Sequence, residues 1–370
     1  MSTNPDSLVP QQIAELPWRT IFLVLAIGGF GMLVLFSAAG GNLQPWAWSH
    51  AVRFSLFLAM AIFLSHLREE HWKFFAYPLY VATLIALVGV EALGQVRGGS
   101  QRWLDLGFIR IQPSEIMKPV LILALARYYD SLPAAELRRF VAIWPAAILI
   151  ALPAALVVIQ PDLGTTVALA VGGLTVMFLA GLPMRLFIGG ALAVAALVPI
   201  AFQFLLEDYQ RNRVLTFLNP ENDPLGTGYH ITQSKIAIGS GGLFGKGFLN
   251  GTQSHLSYLP EGHTDFVFAT MAEEFGLLGG LLLIGGFLLL IRWGLRVGQR
   301  SKSNFAKLTS AGLSMTIFFY VAINLMMGMG LAPVVGIPLP LVSFGGSAMM
   351  TVMICIGILM SLDRQQRVKR

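Results

Sequence analysis

Apolar positions along this chain gather into runs of about twenty residues, and the runs recur from end to end with only short polar clusters between them. A helix needs about 20 apolar residues to cross the hydrocarbon core of a bilayer. The runs that meet this length extend from about Thr20 to Ala39, Ala51 to Leu67, Lys73 to Leu93, Glu115 to Tyr129, Arg139 to Ile159, Leu163 to Leu182, Met184 to Leu205, Phe266 to Ile291, Leu308 to Leu331 and Phe344 to Leu362. The pattern predicts an all-α integral membrane protein of about ten transmembrane helices, with residues 1–370 forming a single polytopic membrane domain. No solenoid-length repeat and no repeated half is visible. The first 17 residues are polar, with Asp6 and Glu15 and no basic residue. They lack the charged start of a signal peptide, and the apolar run that follows is too long for one.

Composition sharpens this picture. The chain is 55% hydrophobic and 12% charged, with a mean hydropathy of +0.70. Soluble domains carry about 25% charged residues, so a water-soluble fold is excluded. The net charge of +6 raises nucleic acid as a partner, but the placement of the basic residues explains it better. With an even number of spans both termini share one side, and sixteen of the 25 Lys and Arg fall there. Of the nine opposite, Arg211, Arg213, Lys235 and Lys246 lie in one long loop that the positive-inside rule largely ignores. Both termini are expected in the cytoplasm, and no nucleic acid is required. The single Cys355 rules out an internal disulfide framework and a Cys-rich zinc site.

Residues 206–265 form the one long loop, expected on the outer side. A structureless loop of that size is uncommon and usually functional. Its glycine-rich stretch, Gly239 to Gly247, invites comparison with a phosphate-binding loop. That pattern needs Gly at 240 and Ser or Thr at 247, where this chain has Ser240 and Gly247. Turns joining short interfacial helices are the better reading.

Ionisable groups at membrane depth cost about 2.5–3.5 kcal/mol each, so each needs a partner or a purpose. Glu115 and Lys118, three residues apart behind Pro113 and Ser114, share a helix face and can pair. The pair either fixes helix packing alone or orders a cavity. Asp162 opens the sixth run, where it suits an N-cap. The Asp208-to-Arg213 charge run, with Lys235 and Lys246 farther on, is either a solvated face or a set of cations for phosphates. Asp265 stands where the long loop meets an apolar helix. It is either a helix cap or a carboxylate whose desolvation raises its pKa toward that of a useful base. The neighbouring His263 reads as an interfacial polar residue, since neither a second His or Cys at zinc spacing nor an HExxH motif accompanies it. The Pro- and Gly-rich stretch from Gly336 to Ser347 reads as irregular backbone lining a cavity.

These stretches resemble the SEDS family (shape, elongation, division and sporulation) of peptidoglycan glycosyltransferases, over nearly the whole chain. The motifs are QRWLDLG at 101–107, QPSE at 112–115, QPDLGT at 160–165, DYQRNRV at 208–214, NPENDPLGTGYHITQSKIAIGSGGLFGKG at 219–247, LPEGHTDFVFA at 259–269 and PLPLVSFGGSA at 338–348. Gln101 and the Ala272-Glu273-Glu274 continuation point to the elongation branch. The resemblance implies ten membrane helices, a cavity beneath the outer loop, and polymerisation of lipid II on the outer face of the cytoplasmic membrane. It also implies a catalytic aspartate at Asp265 and cavity-lining charges at Arg102, Glu115, Lys118 and Asp162. Arg211, Arg213 and Lys235 fall on the loop side, and His263, Thr264 and Ser343 are assigned to the same substrate cavity. Phe344 departs from the family, which often has Tyr there, so no hydrogen bond is expected from that position. Asp265 is then the general base that activates the acceptor hydroxyl, with undecaprenyl diphosphate as the leaving group. A divalent cation, Mg²⁺ or Mn²⁺ with ligands unassigned, is expected beside that diphosphate. The expected partners are a class B penicillin-binding protein and the rod-shape (elongasome) complex. The rival reading is a lipid II flippase. The one-sided placement of the charges and the lack of a visible inverted repeat weigh against it.

Overall fold

The computed structural model describes residues 15–97, 100–105, 110–137, 140–204, 208–223, 226–256 and 258–368. All ten apolar runs are helical: α1 (Trp18–Ala38), α2 (Trp46–Leu64), α3 (Glu69–Leu93), α4 (Pro113–Ser131), α5 (Phe140–Ile159), α6 (Leu163–Leu179) and α7 (Met184–Phe204), then, after the long loop, α11 (Val267–Arg300), α12 (Asn304–Gly328) and α13 (Gly346–Val368). Eight of these are long and apolar enough to cross a membrane. The other two are α4, which carries Glu115, Lys118, Arg127 and Asp130, and α6, which has 17 residues. This is a multi-pass, all-α membrane protein. Between α3 and α4 lies a small antiparallel sheet that the hydrophobic pattern did not reveal, with strands β1 (Gln95–Arg97), β2 (Ser100–Asp105) and β3 (Arg110–Ile111) in the order β1-β2-β3.

Helices α4 and α12 form the centre. Residues 117–126 of α4 are buried without interruption, as expected of a helix enclosed on every side. At the other extreme, α7 buries none of its residues against the rest of the chain. On the side of the termini, Lys73 pairs with Glu69 at 3.1 Å and Asp130 at 2.8 Å. Asp130 also accepts the Phe305 N–H at 3.1 Å, so α3, α4 and the start of α12 are joined there by charge-assisted bonds.

The long loop contributes α8 (Asp208–Leu218), α9 (Thr227–Ser240) and the single turn α10 (Thr252–His255). Its glycine-rich stretch forms turns between α9 and α10, as expected, and these turns are docked as a brace. Helix α11 is broken at Gly276, whose φ is +62°, and the brace takes up the backbone groups around the break. Leu277 and Leu278 N–H donate to the Gly242 and Leu243 carbonyls at 2.9 and 3.2 Å. Lys246 and Gly247 N–H donate to the Glu273 and Glu274 carbonyls at 2.9 and 3.1 Å. Glycine is required for the approach, since a Cβ on Gly245 would lie 2.0 Å from the Glu274 carbonyl oxygen. Two amides that a phosphate loop would point at its ligand are spent on α11. The carboxylates of Glu273 and Glu274 are buried beneath, and Glu273 meets Lys246 at 2.7 Å. After α12 the chain runs without regular structure from 329 to 345. This is the irregular backbone anticipated there, and it packs inside the loop side of the bundle.

Candidate active site

Asp265 lies two residues before α11. It does not cap that helix: the N-cap residue is Phe266, without a side-chain capping bond, and no hydrogen bond to the Asp265 carboxylate occurs among the described residues. The cap reading is set aside by this geometry. The backbone around it is held firmly instead. Ser343 Oγ donates to the Thr264 carbonyl at 2.6 Å and accepts the Leu339 N–H at 2.8 Å. The Phe344 N–H donates to the His263 carbonyl at 2.9 Å. Asn324 Nδ2 donates to the Asp265 carbonyl at 2.9 Å and the Ile337 carbonyl at 2.8 Å. These bonds fasten the 259–266 loop to the irregular 329–345 segment. The carboxylate faces Gly336, where a Cβ would stand 3.8 Å from Asp265 Oδ2. Burial pushes the Asp265 carboxyl up to about 6; Glu261 reinforces the shift and Arg213 opposes it.

Asp162 is both cap and ion-pair partner. Its Oδ1 accepts the Thr165 N–H at 3.0 Å at the start of α6, and its Oδ2 lies 3.7 Å from Arg102. Arg102 reaches from β2 and donates Nε to the Gln160 carbonyl at 3.0 Å and Nη2 to the Pro161 carbonyl. A cavity of ≈ 60 Å³ is lined by Pro161, Leu163, Gln210, Arg213, Pro333 and Val335. It joins the Asp162 turn, α8 and the irregular segment, and Arg213 is the charge that couples it to Asp265.

Glu115 and Lys118 pair at 2.5 Å. Lys118 Nζ also donates to Tyr320 Oη at 2.7 Å, and Tyr320 in turn donates to Glu115 Oε2. The three close a ring between α4 and α12, with Tyr320 1% exposed. An acid, a base and a hydroxyl that satisfy one another remove the penalty of an unpaired charge at membrane depth.

The remaining expected residues sit around this centre. Arg211 donates to the Phe202 and Gln203 carbonyls, both at 2.8 Å, at the end of α7. That is a stabilising place for a cation on a helix C-terminus. Lys235 is exposed and lies over Gly330. His263 stacks on Trp46 with centroids 4.1 Å apart, and burial holds its pKa below the usual histidine range. Thr264 Oγ1 donates to the Glu261 carboxylate. The Phe344 ring, lacking a hydroxyl, takes the Arg53 guanidinium over its face at 4.6 Å.

A protein-family model, the cell cycle protein family FtsW/RodA/SpoVE, matches residues 17–368. The chain belongs to the FtsW/RodA/SpoVE family. It is 43% identical over 369 residues to the peptidoglycan glycosyltransferase MrdB of Escherichia coli K12, covering 99% of this chain and 98% of that one. It is 36% identical to MrdB of Helicobacter pylori J99, over 92% and 88% of the two chains. Among solved structures, a chain from work on polymerization and crosslinking by a peptidoglycan synthase complex superposes with a TM-score of 0.82 at 33% identity, covering 95% of this chain and 98% of that one. The rod shape determining protein RodA of Thermus thermophilus superposes with a TM-score of 0.72 at 30% identity, covering 95% and 97%.

Reading motifs in this FtsW/RodA/SpoVE chain missed several residues the structure brings to the site, Tyr320 and Asn324 on α12 and Trp46 and Arg53 on α2, and it gave no role to Gln112 and Gln160, which open two of the motifs and lie beside Asp162. Gln112 Nε2 donates to Asp162 Oδ2 at 3.4 Å, and Gln160 Nε2 to the Leu87 carbonyl at 3.0 Å. One signal was available, because Tyr320 and Asn324 are polar groups four apart on one face of an apolar helix. Asp105 and Asp208, in two of the motifs, have side chains outside the described residues.

Proposed function

We propose that this chain is a peptidoglycan glycosyltransferase that polymerises lipid II, with Asp265 as its general base. The observation that carries the reading is one carboxylate, raised to about 6 by burial and with no hydrogen bond to it among the described residues, on a braced loop at the edge of the bundle. A base near the working pH combines the right protonation state with a useful driving force. Asp265 takes the proton from the 4-hydroxyl of the acceptor's GlcNAc. That oxygen bonds to the anomeric carbon of MurNAc on the growing chain. The bond from this carbon to the diphosphate breaks, and undecaprenyl diphosphate leaves with the electron pair. A single carboxylate opposite an anionic leaving group suits one displacement with inversion, by analogy with inverting glycosidases. Negative charge building on the leaving oxygen calls for cations, and Arg213 and Arg102 at the ≈ 60 Å³ cavity and the Asp162 turn answer it.

A divalent cation would neutralise the diphosphate further. Among the described residues no group of three or more His, Cys, Asp or Glu side chains converges. The distribution of Lys and Arg supports cytoplasmic termini and an active site on the outer face of the cytoplasmic membrane, and the apolar runs recurring from end to end support a single membrane domain. The elongation-branch motifs favour a class B penicillin-binding protein as partner within the rod-shape complex.

The test is polymer formation from lipid II by the purified chain in detergent, where a flippase has no compartments to connect. Asp265→Asn keeps the shape and loses the base. Its rate should drop by roughly 10²–10⁴-fold, and wild-type polymerisation by this variant would end the assignment.

A further inference from the structure

We propose that Asn324 is the positioning residue for Asp265, holding the base against the irregular segment; the inference rests on Asp265 being that base. Asn324 is fully buried in α12, and its Nδ2 spends both protons on carbonyls from two different segments. One is that of Asp265 itself, at 2.9 Å, and the other that of Ile337, at 2.8 Å. Two carbonyl oxygens can be met only by donors, so the orientation of the amide follows from its partners. The residue after Gly336 is thereby tied to the same atom that ties Asp265, and the Asp265 carboxylate faces Gly336.

The arrangement continues along α12. Tyr320, four residues earlier, closes the Glu115–Lys118 ring. Met327, three residues later, receives the Val335 N–H on its sulfur at 3.2 Å. One face of α12 therefore holds α4, the base and the irregular segment in a common frame. Of the bonds that fasten the two segments, those from Ser343 and Phe344 reach the Thr264 and His263 carbonyls. The Asn324 bond is the one that reaches Asp265. A reacting group misplaced by about 1 Å loses on the order of 100-fold in rate.

The probe is Asn324→Leu, which keeps the size and removes both donors without adding a charge. In the purified full chain with lipid II, kcat should fall about 100-fold while KM for lipid II stays within about threefold. Asn324→Ser, which retains one donor, should fall between, and it decides the matter if Asn324→Leu does not purify folded. A general loss of folding would lower the amount of active enzyme without moving its pH profile. Loosening Asp265 instead relieves the burial that raises its pKa, so the acid limb should move to lower pH in Asn324→Ser. The charges facing Asp265, Glu261 and Arg213, and the neighbouring His263 are untouched by either variant. Wild-type kcat in a folded Asn324→Leu or Asn324→Ser, or an unmoved acid limb in Asn324→Ser, overturns the proposal. If Asp265→Asn is inactive in the same assay while these results hold, positioning alone fails. If Asp265→Asn is active, the base assignment fails with it.

Discussion

The raised pKa of Asp265 makes the pH dependence of polymerisation a sharp measurement. A base is competent only when ionised. With its pKa at about 6, the carboxylate outnumbers the acid about tenfold at pH 7, and the ratio is inverted at pH 5. The rate should fall about tenfold over those two units. A carboxyl at the unperturbed value of 3.8 would lose only about 6% over the same range. The causes can be separated by substitution. Glu261→Gln removes a negative neighbour that raises the pKa, so the acid limb should move to lower pH. Arg213→Gln removes a positive neighbour that lowers it, so the limb should move up. The assay is the initial rate of glycan formation at saturating lipid II from about pH 4.5 to 8, with a melting curve at each pH. The melting curve carries an independent sign. The folded carboxyl binds its proton more tightly than the unfolded chain does. Its contribution to stability is therefore complete below 3.8 and lost as pH rises through about 6. Activity and this part of the stability should slope in opposite directions. A wild-type limb near pH 4, or a Glu261→Gln limb that moves upward, would refute the reasoning.

Two further outcomes follow from the packing. Lys118→Ala leaves the Glu115 carboxylate uncompensated between α4 and α12 and should destabilise the chain by about 3–5 kcal/mol. Tyr320→Phe removes one member of the ring and should cost less, about 1–3 kcal/mol; thermal unfolding in detergent orders the two. Gly276→Ala forces a side chain onto a φ of +62° and puts a Cβ 2.3 Å from the Gly245 nitrogen. The loss should exceed about 2 kcal/mol, and protease sensitivity should rise first in the 241–256 brace.

How much of the site could be read in advance depended on how local each interaction is. Asp162 was legible as a helix cap because the Thr165 N–H it accepts lies three residues away. The Glu115–Lys118 pair was legible for the same reason, while the third member of its ring, Tyr320, comes from 205 positions along the chain. The glycine-rich stretch departs from a phosphate-loop pattern at Ser240 and Gly247. Its actual use, bracing the break at Gly276, involves backbone atoms of α11 that no spacing rule addresses. The β1–β3 sheet escaped notice because its strands are short and lack a hydrophobic alternation long enough to stand out beside the membrane spans.

By itself the amino-acid order determined the ten helices and their membrane character. The bilayer imposes a length and an apolarity that eight of the ten segments meet alone, with their hydrogen bonds satisfied inside them. Only the tertiary structure decided how Asp265 is placed. Its backbone is held by Asn324, 59 residues away, while Ser343 and Phe344 hold the carbonyls of Thr264 and His263 just before it. Such partners are brought together by packing of the whole bundle. The free energy that selects them belongs to long-range contacts that a linear pattern of residues does not encode.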